Sequence, residues 1–294
     1  MTASTAPLTR RRRMFPAWFR DVLSRPSGAI GLAIIVVHLA IALLAPMVVP
    51  YDFAAQDSKA MFADPSAQHW LGGDHLGRDV LTRTLMGGRE AILVSTMATG
   101  VAVLWGGLFG IFLAFAGRFV DEASMRMVDA LLAIPWILFV MLFVAGLGTG
   151  MGVLIPILGI SYGLSIVRIV RAAALDVVTR DFILAARARG ERRSVVIVHE
   201  MLPNVLDTLA VQAAMTWSWM LLGFSSLSFL GFGATPPTPD WGLMIADARS
   251  AMMVSPWPVL APMIALSSLI IGINLLSDGL AKALGVDRMK KSAV

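Results

Sequence analysis

The chain has 294 residues, of which 57% are hydrophobic and only 15% are charged, and its mean hydropathy is +0.77. A typical soluble domain is about 25% charged, so this composition indicates a protein that crosses a membrane several times. The absence of cysteine excludes disulfides, thiolate metal sites and thiol catalysis. The net charge of +5 lies in segments between apolar runs, which indicates membrane topology rather than nucleic-acid binding.

Apolar runs without Asp, Glu, Lys or Arg divide the chain into six predicted membrane helices. Residues 1–27 precede the first run and are predicted to form a polar arm with a short interfacial helix near 17–23. The longest run, 130–167, fits two spans that turn at 146–152, because glycines there favour a turn over continuous helix. The spans are predicted, in chain order, over residues 28–49, 91–117, two within 130–167, 208–232 and 259–277.

The distribution of basic residues predicts which ends of these helices face the cytoplasm. Most of the 24 Lys and Arg residues lie on one side if the N-terminus is inside, so the positive-inside rule predicts that both termini are cytoplasmic. The arginine-rich segment 181–204 then also faces the cytoplasm. The predicted spans hold no formal charge. Their polar candidates are His38, expected to be packed, and Asn274, expected to hydrogen-bond across helices.

The chain lacks a phosphate-binding loop of the form GxxxxGK[ST], since none of its lysines follows a glycine. A transporter driven by ATP would therefore need ATP-binding partners that push on a cytoplasmic surface of this chain. Two alternatives stay open. An ion-coupled secondary transporter would need ionisable groups or broken helices at the midplane. An intramembrane enzyme would need a nucleophile with a base or a metal motif, which the histidines at 38, 69, 75 and 199 do not form.

The segment 181–204 has the pattern of a helical elbow. Phe182, Ala185, Ala186 and Arg189 have the spacing of one helical face, and the small alanines would permit close approach of a partner. Gly190 then allows a turn, and a second segment, 191–202, leads to Pro203 and the fifth span. The alternative is a basic surface loop that rests on anionic lipid.

This elbow resembles the EAA motif of bacterial ABC-importer permeases. Ala185, Ala186, Gly190, Leu202 and Pro203 match the motif at its spacing, whereas Leu184 and Glu200 depart from it. The resemblance implies that the elbow is a coupling helix that docks on an ATP-binding subunit. Arg187 and Arg189 would then touch the ATPase, and Arg192 and Arg193 would lie against lipid headgroups.

Three further segments resemble the second permease subunit of dipeptide, oligopeptide and nickel importers. The similar stretches are HWLGGDHLGRDVLTRTLMGGR (69–89), SSLSFLGFGATPPTPDWG (225–242) and NLLSDGL (274–280). One departure is Phe224, where that family usually has Glu. If the acid faces the transport pathway, the substrate polarity differs here.

Two groups of residues, one within 72–79 and the other within 236–241, each have two interpretations. The first group either shapes a turn and helix cap, with Asp79 and Arg83 as a surface pair, or contacts a binding protein. The second group, with Pro239, stiffens a loop that carries an aromatic residue at the membrane interface, or forms an outer gate. His69 and His75 are a weak nickel signal without further ligands. The first group is Gly72, Asp74, Gly77, Arg78 and Asp79, and the second is Pro236, Pro237 and Trp241.

The resemblance implies an all-α permease of six transmembrane helices in a bacterial inner membrane, with no catalytic residue and no cofactor or metal of its own. ATP and magnesium would bind to two ATP-binding subunits, and peptides or related solutes would arrive on an extracytoplasmic binding protein. A second homologous permease and membrane lipid complete the expected partners. The expected organisation is an N-terminal arm (1–27), a permease domain (28–281) with a coupling loop (168–204), and a cytoplasmic tail (282–294).

Overall fold

A computed structural model describes residues 16–285 of the chain, and every regular element in that range is a helix. Most of the predicted arm and tail, residues 1–15 and 286–294, lies outside the described residues. The helices are α1 (Pro16–Leu23), α2 (Pro26–Val48), α3 (Val80–Ala116), α4 (Arg118–Leu132), α5 (Trp136–Leu147), α6 (Met151–Val178), α7 (Asp181–Ala188), α8 (Arg193–Phe229), α9 (Trp241–Ala248) and α10 (Trp257–Leu284).

Five of the described helices are long and apolar enough to cross a membrane: α2, α3, α6, α8 and α10. The predicted third span is different, because α5 has only 12 residues, which is about 18 Å of helix. Helices α4 and α5 bend by 83° at their junction, where Pro135 cannot continue the hydrogen-bond ladder of α4. A sixth span exists only if this bent pair counts as one. The predicted glycine turn is confirmed, since α5 ends at Leu147 and Gly148 has φ +93°.

Helix α3 begins at Val80, much earlier than the predicted start at residue 91. Asp79 caps it, because its carboxylate accepts a hydrogen bond from the Thr82 backbone N–H at 2.7 Å. The predicted charge-free spans are therefore shorter than the helices that contain them. Helix α3 includes Arg83, Arg89 and Glu90, and α6 includes Arg168 and Arg171. The charge-free run marks only the apolar part of each helix, whereas α3 continues for 37 residues, about 55 Å.

Helices α3 and α6 form the most extensive helix pair of the bundle. A side chain on Gly106 would place its Cβ 2.6 Å from the Gly163 carbonyl oxygen, and one on Gly110 would meet the Val167 carbonyl at 2.8 Å. The indole Nε1 of Trp105 donates a hydrogen bond to the Gly159 carbonyl at 3.0 Å. Because only glycine leaves room for this approach, small residues determine the spacing of the two backbones.

Helix α2 packs along α10. His38 lies between them, with Nε2 3.2 Å from the Ala265 carbonyl oxygen and 3.1 Å from the Ser268 hydroxyl. The prediction of a packed His38 is confirmed. Asn274 is exposed, and within residues 16–285 it forms no hydrogen bond across helices, so that prediction is wrong. The side chain lies on the face of α10 that turns away from its neighbours.

Helix α9, which the sequence patterns did not predict, is held by Trp241. The indole is 3% exposed, and its Nε1 donates to the Thr84 carbonyl of α3 at 2.8 Å. Gly88 leaves space for the ring, since a Cβ there would lie 2.5 Å from it. The ring of His38 meets Trp241 edge to face at 6.2 Å. The prediction that Trp241 is an aromatic at the membrane interface is therefore wrong, and the residue joins α2, α3 and α9.

Asp240, the residue that caps α9, is fully buried beside this tryptophan. Its Oδ1 accepts from the Leu243 N–H at 3.2 Å, whereas its Oδ2 has no hydrogen-bond partner in the described chain. Burial raises the pKa of Asp240 to about 6, and the negative charge of Glu90 adds to the effect. The ionised form is therefore the unfavourable one in the folded protein.

Replacement of Gly106 by leucine tests the α3–α6 contact, and Gly100→Leu on the same helix is its matched control. No atom lies within 4 Å of a Cβ at Gly100, so that variant should melt at the wild-type temperature. Gly106→Leu should lower the melting temperature in detergent by several degrees, since overpacking costs about 1–3 kcal/mol. Equal melting of the two variants would contradict the proposed contact.

Asp240→Asn tests the buried carboxylate. A raised folded-state pKa means that Asp240 favours folding when protonated, and this contribution is lost as the pH rises from about 4 through 6. Asparagine keeps the cap without the charge. The variant should have the unfolding free energy of the wild type at pH 4 and a higher one at pH 8, by up to about 3 kcal/mol. A melting difference that does not change between these two pH values would show that the carboxylate is not strained by burial.

Candidate functional site

The predicted site residues lie at opposite ends of the helix bundle. One group is in the loop cap, which we define as residues 49–79 and 230–256. The other is in the elbow, residues 179–203, which joins α6 to α8. The structure does not bring the two groups together, since α3 and α6 separate them along their length.

Helix α7 of the elbow rests on the bundle through two buried residues. Ile183 and Ala186 are both 0% exposed, whereas Phe182, Ala185 and Arg189 are exposed. The predicted face that joined Ala186 to the other three is therefore wrong, because Ala186 points into the core. Ala185 lies nearly opposite the buried side, so α7 offers a small residue at its outer surface.

Gly190 makes the turn that ends α7. Its φ of +76° lies in the left-handed region, and no atom lies within 4 Å of where a Cβ would be. The Glu191 N–H reaches back to the Ala186 carbonyl at 3.2 Å, which closes the end of the helix. The predicted glycine turn is confirmed, and glycine is required there by backbone conformation rather than by space.

The second arm of the elbow is continuous with the membrane helix α8. The predicted segment 191–202 is helical from Arg193 and passes through Pro203 without a break. A wider π-helical turn, Val196–Met201, comes directly before the proline, which has no N–H for the regular ladder. Leu202 and Pro203 are half-buried. The second arm of the elbow is therefore the first part of α8, and it would move together with the rest of that helix.

The elbow arginines have different surroundings. The guanidinium of Arg187 lies 5.2 Å from the centre of the Phe115 ring at the end of α3, a cation–π distance. Arg189 donates to the Glu191 carboxylate at 2.6 Å. Arg192 and Arg193 are exposed. Arg187 therefore braces α7 against α3, a role that the sequence did not indicate.

Two ion pairs beside the elbow also escaped sequence reasoning. Arg171 of α6 binds both carboxylate oxygens of Asp121, and Arg168 pairs with Asp129. Both acids lie on α4, most of which falls between the predicted second span and the run 130–167. The spacing of its buried-side residues Met125, Val128 and Leu132 was the signal available. These pairs tie α4 to the end of α6 from which the elbow emerges.

Three charged residues of the loop cap, Asp74, Arg78 and Asp79, are buried and hydrogen-bonded. Asp74 accepts from the Arg78 Nε at 2.7 Å and from two backbone N–H groups, and Asp79 contacts the His69 ring at 2.9 Å. Asp74, Arg78 and Asp79 are each no more than 6% exposed. A partner protein cannot touch them directly, so the reading as a turn and helix cap fits the structure.

Arg83 is buried, and the predicted surface pair with Asp79 is wrong. Its side chain is 1% exposed and donates to the carbonyls of Phe53 at 2.9 Å and Pro237 at 3.2 Å. Burial strengthens such charge-assisted bonds because water does not compete for them. Arg83 therefore links both parts of the loop cap to α3.

Glycines let the loop cap fold this closely. Gly72 and Gly77 have φ values of +74° and +72°, and a Cβ on either would collide with a backbone carbonyl oxygen, at 2.2 Å and 1.8 Å. Pro236 and Pro237 remain exposed, as does Trp70 at 71%. A partner could reach these loop-cap side chains, and also Met253 and Val254, which are 96% and 68% exposed.

The remaining predictions concern a metal and the pathway. No group of three or more His, Cys, Asp or Glu side chains suited to a metal occurs in residues 16–285.

Phe224 is fully buried in the core of the bundle. A change of Glu to Phe at this position therefore alters packing in this structure rather than an open surface.

Comparison with known proteins identifies the family of this chain. Residues 106–288 match the family described as binding-protein-dependent transport system inner membrane component. Residues 17–65 match the N-terminal transmembrane domain of oligopeptide transport permease C.

Relatives of known type match over most of the chain. A dipeptide transport system permease protein of Alkalihalophilus pseudofirmus is 33% identical over 90% of this chain and 88% of its own. A glutathione transport system permease protein of Pectobacterium atrosepticum is 33% identical, covering 91% and 89%. An oligopeptide transport system permease protein of Bacillus subtilis is 32% identical, covering 89% and 86%. The chain therefore belongs to the inner membrane components of binding-protein-dependent transport systems, the permease subunits of ABC importers.

Proposed function

We propose that this permease carries peptides or related small solutes across a bacterial inner membrane. The relatives named for dipeptide, oligopeptide and glutathione transport support this substrate class. A second homologous permease would complete the passage, and an extracytoplasmic binding protein would deliver the solute at the loop cap. Exposed Trp70, Pro236 and Pro237 are among the contacts available to it.

The elbow is the proposed coupling site for one of two ATP-binding subunits, which would hold the ATP and magnesium. The observation that carries this proposal is the exposed Ala185 on a helix anchored by buried Ile183 and Ala186. Such a helix can enter a cleft while its other side keeps its position on the bundle. The excess of arginine at this end supports a cytoplasmic position of the elbow and of both termini.

The proposed mechanism is alternating access driven by the elbow. Closure of the ATP-binding subunits would push α7, and the push would reach α6 through residues 179–180 and α8 through its continuous helix. Helix α4 would follow because Asp121 and Asp129 hold it to α6. The helices would then rock as rigid bodies around the solute.

Ala185→Trp tests the docking surface, with Ala123→Trp on exposed α4 as the matched control. Neither alanine is buried, so both variants should melt at the wild-type temperature. Tryptophan at 185 would prevent close approach, and the ATP-binding subunits should no longer co-purify in detergent. The control should retain them. Normal retention by Ala185→Trp would exclude this face of α7 as the docking surface.

Gly190→Val and Gly190→Asn test the turn, because valine resists the left-handed conformation and asparagine tolerates it. The full transporter, reconstituted with its binding protein, should lose stimulated ATPase activity and ATP-driven peptide uptake with valine. The asparagine variant should keep most of both. Wild-type behaviour of the valine variant would remove Gly190 from the mechanism. Wild-type uptake that needs a membrane potential but no ATP would overturn the proposed function itself.

A further inference from the structure

A groove runs between α2, α3 and the start of α6. Its volume is about 410 Å³ and its walls are mostly apolar. Two charged residues interrupt this apolar lining, both on α3. The lining consists of Leu39, Ala42, Leu43, Arg89, Glu90, Ile92, Leu93 and Met151.

The groove lies at the edge of the apolar band of the bundle. Exposed apolar residues of α3 run from Leu93 to Phe112, a distance of about 28 Å along the helix. This matches the hydrocarbon thickness of a bilayer, about 30 Å. Arg89 and Glu90 come one turn before Leu93, on the side of the loop cap. On α3 they therefore lie at the edge of this band, whereas exposed apolar residues of α2 continue past the groove to Val48. Long charged side chains at this depth extend toward the headgroups.

Neither charged side chain is neutralised by the chain itself. Arg89 is exposed and Glu90 is half-buried, and no residue in 16–285 forms an ion pair or hydrogen bond with either side chain. Arg83, the other charged residue of α3 on this side, differs in that its Nη1 donates to two carbonyl groups. An unpaired cation and an unpaired anion thus remain side by side above an apolar groove.

The charges favour a lipid over a segment of protein as the occupant. A guanidinium binds phosphate oxygens in a bidentate manner, and a carboxylate accepts hydrogen bonds from a primary ammonium. Phosphate and ammonium lie a few bonds apart in an ethanolamine headgroup. The groove walls are helices, whose backbone groups are already paired, so they offer no hydrogen bonds to an entering peptide backbone but suit an acyl chain.

We propose that this groove binds a phospholipid with a primary amine headgroup. Arg89 holds the phosphate, Glu90 receives the ammonium, and an acyl chain lies along Leu39, Leu43 and Leu93. The site does not depend on which solute the permease carries. It adds a lipid contact between α2 and α3 near the loop cap.

Native mass spectrometry of the purified transporter complex tests the site. The complex is titrated with phosphatidylethanolamine, phosphatidylcholine and phosphatidylglycerol. The wild type should retain the ethanolamine lipid about tenfold better than the other two, because only its headgroup satisfies both charges. Arg89→Gln should weaken retention of all three by about tenfold. Glu90→Gln should remove the preference for ethanolamine over choline.

Arg118→Gln is the matched control, since Arg118 is an exposed arginine on α4 that pairs with Glu122. This variant should retain lipid like the wild type. All variants are first compared for melting temperature in lipid-free detergent, so that a folding defect is separated from a binding defect. The proposal is overturned if the wild type shows no preference for ethanolamine, or if Arg89→Gln and Glu90→Gln retain lipid normally. It is also overturned if the assembled complex retains no lipid because the second permease covers the groove.

Discussion

The close contact between α3 and α6 is the constraint on which the rest of the structure depends. Glycines at 106, 110, 159 and 163 bring two long helices together along the membrane, where apolar packing against lipid offers little gain and close van der Waals contact must supply it. At one end α3 receives the loop cap through Arg83. At the other end it receives α7 through Phe115 and Arg187. A single rigid pair therefore determines the positions of both candidate binding surfaces.

Charge is used differently at the two ends of this pair. In the loop cap Asp74 and Arg78 are buried and paired with each other, so they stabilise a shape that leaves proline and tryptophan side chains exposed. Around the elbow, ion pairs join α4 to α6, while Arg192 and Arg193 stay exposed. The first arrangement suits a loop cap of fixed shape. The second suits an elbow that moves together with α4 and α6.

Sequence patterns predicted most of the fold and the turn at Gly190, because apolar runs and glycines act locally. They placed the start of α3 wrongly. The predicted start was the first residue of a charge-free run, whereas the helix begins at its capping residue, Asp79. They also missed α9, the burial of Trp241 and the pairs of α4 with α6. These features join residues 39 to 157 positions apart. Such contacts are properties of packing, and local patterns contain no record of them.

The paired alanines of the elbow show how differently adjacent positions can be constrained. Ala186 is enclosed by its own chain, whereas Ala185 faces outward. A larger residue at 186 could be accommodated only by a compensating change inside this permease. A larger residue at 185 could be accommodated by a change in another protein. Across related transporters, variation at 185 should therefore accompany variation in the ATP-binding subunits, and variation at 186 should accompany variation in the permease core. The two adjacent alanines are thus expected to vary together with different sets of residues.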